Sequence, residues 1–223
     1  MIMPTDLVVR GNRLRLLVGA LAFGIVLWLN ALAGAGALSG ESIGTIANRY
    51  PSAFLPAGYV FGIWSVIYAG LFAYVVDLAL PGRGSTGPHA RIGWMWPVNA
   101  ALNVGWIVAF SFSLFVPAIV LMVGLLVNLI TIHMRVGDPR ELSLRDRVLV
   151  ALPFGLYLSW ISVALIANTF QVAVVYRWSG FGIDETTWAV IMMIVATVLA
   201  GYMGRVRGVR VFLPVDAWAL VGI

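Results

Sequence analysis

Seven polar side chains interrupt long apolar stretches of this sequence: Asn30, Asp77, Asn99, Asn103, Asn128, His133 and Asn168. An amide, imidazole or carboxylate surrounded by hydrocarbon is costly unless paired, so these positions are the first place to look for chemistry. Their neighbours matter as much as they do. Trp96, Asn99, Asn103, Trp106 and Phe110 follow one another at intervals of 3, 4, 3 and 4, which puts them on one stripe of a helix. A face of amides and large aromatics suits a packed interior better than lipid. It could form a ligand-facing wall, with Trp and Tyr stacking on a flat molecule and amides orienting its polar edges. It could equally be amide glue between helices, with Trp96 an interfacial anchor.

Two further stripes repeat the pattern. Tyr157, Trp160, Ala164 and Asn168 share a face, and the small Ala164 leaves a notch beside two aromatics. Such a notch admits a flat ligand or another helix backbone. Phe61, Trp64, Tyr68 and Phe72 form an aromatic stripe that reads as core or as a binding wall. Asp77, close in sequence to Arg83 and Arg91, reads as a paired interfacial charge, with proton coupling the alternative. His133 sits beside Arg135, and His89 is the other histidine. No carboxylate stands at ligand spacing from either, so no metal site is expected. There is no cysteine, nucleophile triad, carboxylate pair or phosphate loop. No catalytic residue is named, and an enzyme is the weaker reading.

The elements that must carry these stripes are membrane spans. Hydrophobic residues make up 61% of the 223 positions and charged ones 10%, against about 25% charged in a soluble domain. A bilayer resolves that surplus of apolar surface. A span needs roughly 20 apolar residues. Candidates are 16–38, 57–80, 92–112, 114–134, 148–175 and 186–204, with a shorter run from Val211 to Ile223 that crosses only in part or continues further in nature. The run after Arg10, Arg13 and Arg15 is too long for a signal peptide. Every basic residue is Arg, and twelve of the 14 fall before span one or in the even-numbered loops and tail: Arg10, Arg13, Arg15, Arg83, Arg91, Arg135, Arg140, Arg145, Arg147, Arg205, Arg207 and Arg210. That lopsidedness places the N-terminus in the cytoplasm. Charges dispersed between apolar runs give no nucleic-acid patch. The external loop at about 39–56 has the composition of a short amphipathic helix or lid.

Together these stripes resemble the TspO/MBR family, the tryptophan-rich sensory proteins. Phe61-Gly62-Ile63-Trp64-Ser65-Val66-Ile67-Tyr68, after Pro56, looks like the family's span-two signature. Asn99-x-x-x-Asn103-x-x-Trp106 is similar to its Gln-x-x-x-Asn-x-x-Trp, and Tyr157-x-x-Trp160-x-x-x-Ala164-x-x-x-Asn168 to its span-five motif. Leu156 stands where the family has Pro, and two apolar segments follow the five-span region, as in a longer, divergent branch.

The resemblance implies an all-α, polytopic transmembrane bundle: a cytoplasmic segment 1–15, a five-helix core over 16–175, and additional C-terminal helices over 176–223. It implies a pocket opening toward the first external loop, made by Trp64, Tyr68, Asn99, Asn103, Trp106, Tyr157, Trp160, Ala164 and Asn168. The expected role is a receptor or carrier for a porphyrin or other tetrapyrrole, a sterol or a carotenoid, in a bacterial or archaeal cytoplasmic membrane. A bound porphyrin, other hydrophobic pigment or lipid is the cofactor to expect, though none is required. Expected partners are the bilayer, the hydrophobic ligand, and a second copy or larger membrane complex. The alternatives are a structural or assembly subunit of such a complex and a small-solute transporter.

Overall fold

The computed structural model describes the backbone of residues 4–223 and the side chains of residues 14–223. Arg10 and Arg13, used above for orientation, lie outside the described side chains. The described residues form an all-α bundle. Its elements are α1 (Pro4–Gly34), α2 (Ile43–Asn48), α3 (Ile63–Ala79, entered through a 3-10 turn Gly58–Gly62), α4 (Gly87–Ile92), α5 (Met95–Ser111), α6 (Phe115–Val136), α7 (Leu152–Val175), α8 (Glu185–Arg205) and α9 (Phe212–Val221). Five are long and apolar enough to cross a membrane: Leu14–Gly34, Gly58–Ala79, Phe115–Glu141, Leu144–Val175 and Glu185–Arg205.

The expected third span, 92–112, is shorter than the sequence suggests. Gly93 takes φ +56° and turns the chain between α4 and α5, leaving α5 with 17 residues, or about 26 Å. Short as it is, α5 is packed along α1 on one side and α6 on the other. α7 packs against both α3 and α6, while α8 and α9 form an outer layer against α7. α9 has 10 residues, enough for about 15 Å, half a bilayer core.

Local chemistry sets the element ends. Gly36, at φ +75°, closes α1 as the left-handed residue after the helix. Ser42 caps α2 by accepting the Thr45 N–H at 3.1 Å, and Asp184 caps α8 by accepting that of Thr187 at 2.9 Å. Pro153 would break a regular helix, and the chain answers with a π turn over Arg147–Ala151 before α7.

Two aromatic clusters fill the interior. In the one nearer the Arg-rich end, Trp96 meets Phe23, Tyr74 and Phe154 at ring separations of 5.6, 5.4 and 6.0 Å. Trp96 is 1% exposed, so it is a core residue rather than an interfacial anchor. Gly19 makes room for it: a Cβ there would fall 2.6 Å from the indole Cδ1.

At the same end Asp77 is buried in a knot of charge. Its Oδ2 accepts from Arg83 Nη2 at 2.7 Å and faces His89 Nε2 at 2.8 Å, and its Oδ1 accepts from Arg145 Nε at 2.9 Å. Arg83 also pairs with Asp146, and Arg15 donates to the Gly84 carbonyl. The expected partner Arg83 is there. Arg91 is exposed and makes no ion pair among the described residues; Arg145 and His89 complete the knot. Those contacts tie α3, the 80–92 segment and the start of the α7 region together, so the basic loops gather at one end.

Burial and the nearby Arg83 and Arg15 push His89 down to about 4, against the pull of Asp77 and Asp146. A neutral ring in the folded state and an ordinary one, near 6.5, in the unfolded state make acid destabilising. The contribution is complete above pH 6.5 and is lost as pH falls toward 4, for a total of about 3 kcal/mol. Melting of the purified protein across that interval should therefore show an acid-side loss of stability that is much reduced in His89→Gln.

Candidate functional site

At the end opposite the charge knot the helices leave a cavity of about 460 Å³. The 3-10 turn contributes Phe61, α3 contributes Trp64 and Tyr68, α5 contributes Trp106 and Phe110, and α7 contributes Trp160, Ala164, Asn168 and Gln171. α1 supplies a fourth wall of Leu27, Asn30, Ala31 and Gly34, spaced as one helix face. α2 and the Leu55-Pro56 segment form the roof, and Glu185 of α8 braces that loop by accepting the Ala53 N–H at 2.7 Å. Between α1 and α3 the cavity is open: Leu27, Ala31, Gly58 and Ser65 line it and are exposed.

Trp64 is the hub. It stacks on Tyr68 at 5.3 Å and on Trp106 at 5.9 Å, and meets Tyr157 and Trp160 edge-on at 5.6 and 6.3 Å. Phe61 stands edge-on to Trp160 at 6.1 Å. Such rings offer flat, polarisable walls at little entropic cost, since each has only two side-chain torsions.

Beneath the wall runs a chain of amides. Asn30 Nδ2 donates to Asn103 Oδ1 at 3.1 Å, and Asn103 Nδ2 donates to the Tyr157 hydroxyl at 2.6 Å. This relay joins α1, α5 and α7 under Trp64. Asn168 turns its amide N–H back to the Ala164 carbonyl at 3.0 Å. The cavity walls themselves carry unpartnered polar atoms: the indole nitrogens of Trp106 and Trp160, the Gln171 amide nitrogen and the Tyr68 hydroxyl are buried without a hydrogen bond. Buried donors of that kind are rare and need a reason.

Of the nine residues singled out by spacing, Trp64, Tyr68, Trp106, Trp160, Ala164 and Asn168 line the cavity. Asn103 and Tyr157 lie one layer below. Asn99 is elsewhere: its Nδ2 donates to Asn128 Oδ1 at 3.0 Å, and Asn128 donates to the Met95 carbonyl, joining α5 to α6. Phe61, Gln171, Asn30 and the α2 roof were not among the nine. Gln171 continues the 157, 160, 164, 168 stripe, so helical spacing could have found it, and Phe61 already stood on the stripe of Trp64 and Tyr68. No local signal marks the roof.

No carboxylate, imidazole or guanidinium lines the cavity. Its chemistry is therefore stacking, shape and a few neutral donors. The relay beneath it should matter for stability rather than charge. Tyr157→Phe strands the Asn103 donor and should cost about 1–3 kcal/mol, read as a lower melting temperature, with the double change Tyr157→Phe/Asn103→Leu recovering part of the loss because Asn30 keeps its bond to the Val26 carbonyl.

No curated protein and no solved structure matches the chain. One family does, that of TSPO-like proteins, over residues 16–223. Covering nearly the whole chain, and joined to membrane-spanning helices, that match makes this an integral membrane protein belonging to the TSPO-like family.

Proposed function

We propose that the protein is a membrane receptor or carrier for a flat hydrophobic molecule, with a tetrapyrrole as the leading candidate and a sterol or carotenoid behind it. One observation carries the reading: a cavity of about 460 Å³ whose walls include three indoles, two of them with buried N–H groups lacking partners. That volume suits a drug-sized ligand. The ligand would lie against Trp64 and Trp106, with the Ala164 notch admitting its edge and the Trp160, Trp106 and Gln171 donors meeting peripheral carbonyl or carboxylate oxygens. Trp64, Tyr68, Trp106, Trp160 and Ala164 would make direct contact, while Asn103 and Tyr157 would hold the wall in place. Asn99 is left out of this role.

The clustered arginines support an orientation with the charge knot in the cytoplasm of a bacterial or archaeal cell, and so the cavity in the outer half of the cytoplasmic membrane. A structural subunit would instead have these faces filled by neighbouring side chains, and the open cavity speaks for the ligand.

Titrating the purified protein with protoporphyrin while following tryptophan fluorescence should give saturable quenching. Trp160→Ala and the cavity-filling Ala164→Phe should each weaken binding by about tenfold or more, roughly 1.4 kcal/mol. Quenching that fails to saturate, or that both variants leave untouched, would remove this reading.

A further inference from the structure

The described residues bury two aspartates, Asp77 and Asp216, and only the first is surrounded by cations. Asp216 belongs to α9. The inward face of that helix is Phe212, Val215, Asp216 and Ala219, so the carboxyl occupies a position where packing alone would call for an apolar side chain. It is 5% exposed, and its Oδ1 is buried without a partner.

The carboxyl borders a small separate cavity of about 30 Å³ between α7, α8 and α9. Ser159 and Ser162 are the polar residues on the α7 side of it, and on α8 the Thr197 side chain is within hydrogen-bonding reach of the carboxyl, a single donor for it. Each serine has already committed its hydrogen: Ser159 Oγ donates to the Gly155 carbonyl at 2.7 Å and Ser162 Oγ to the Leu158 carbonyl at 2.8 Å. Their oxygens can still accept but not donate. The remaining lining residues, from Val163 and Ile166 on α7 and Val195, Ala196, Leu199 and Ala200 on α8 to Phe212 on α9, are apolar, and no ionisable group faces Asp216 from any of the three helices. An ionised carboxylate here would have no cation and too few donors, whereas a protonated one brings the donor that the serine oxygens lack.

We propose that Asp216 is an intramembrane proton-binding site: in neutral solution it holds a proton, shares it with a serine oxygen of α7, and so latches α9 onto α7. Release breaks the Asp216 O–H bond, sends the proton to water and leaves a carboxylate that the apolar wall cannot hold. The latch has a target. Trp218 Nε1 donates to the Val60 carbonyl at 3.0 Å, and the Ala57 N–H donates to the Gly222 carbonyl at 2.8 Å. α9 thus holds the Ala57–Gly62 segment, which gives Gly58 and Phe61 to the main cavity. Proton release unseats α9 and frees that segment, whatever the main cavity binds.

Infrared difference spectra of the protein in lipid nanodiscs, wild type minus Asp216→Asn, test the site. The expected result is the carbonyl stretch of a protonated acid at neutral pH, lost in the variant and lost in the wild type as pH is raised. Ser159→Ala or Ser162→Ala leaves the carboxyl in place and should shift that band. Hydrogen exchange of the 57–62 segment, corrected for the intrinsic rate, should rise with pH in the wild type and stay flat in Asp216→Asn. Absence of the acid band in folded wild type overturns the proposal, as does an ionised carboxylate that depends on sodium, which would make this a small-cation site. If Asp216→Asn does not assemble, the wild-type pH titration and the serine variants decide alone.

Discussion

Hydrocarbon offers no hydrogen bonds, and the whole architecture answers to that fact. Asn99 and Asn128 satisfy each other across α5 and α6. Asn30, Asn103 and Tyr157 hand one hydrogen bond to the next across three helices. Serine and threonine hydroxyls turn back to carbonyls one helical turn earlier. Where this accounting fails among the described residues, four of the eight exceptions lie along the main cavity (Tyr68, Trp106, Trp160 and Gln171) and one is Asp216, while His89 Nδ1, Trp96 Nε1 and Ser111 Oγ lie elsewhere in the bundle. Unsatisfied polar atoms that gather along a cavity wall carry more information than the same number scattered through a core.

The bundle was legible because its signals are local and redundant. Apolar runs marked the five long helices to within a few residues, and the placement of arginine put the basic loops at one end. What failed was length at the third span, since a single glycine, Gly93, decides where α4 stops and α5 begins. Hydropathy averages over such a residue. Asp77 shows the same limit from another side. Its pairing with Arg83 lies six residues away and could be read, but Arg145 arrives from 68 residues along the chain.

The site was legible to the extent that helical periodicity defines faces. Spacing correctly brought the stripes of α3, α5 and α7 to one interior. It could not rank depth within a stripe: Asn99 and Asn103 stand one turn apart on α5, yet one bonds to α6 and the other to α7. Nor could it supply the α1 wall, whose small residues look like ordinary span composition, or the α2 roof, which exists through the Ser42 cap and the Glu185 brace.

On the proposed reading, the gap between α1 and α3, where Leu27, Ala31 and Ser65 are exposed, would give onto acyl chains rather than water. An apolar solute entering there has already left the aqueous phase, so the usual gain from shedding water has been collected by the bilayer before any protein contact forms. Discrimination must then rest on what lipid cannot provide: rigid ring faces, a notch of fixed width and directed N–H groups. Greasiness alone would raise a compound's concentration in the leaflet without improving its fit.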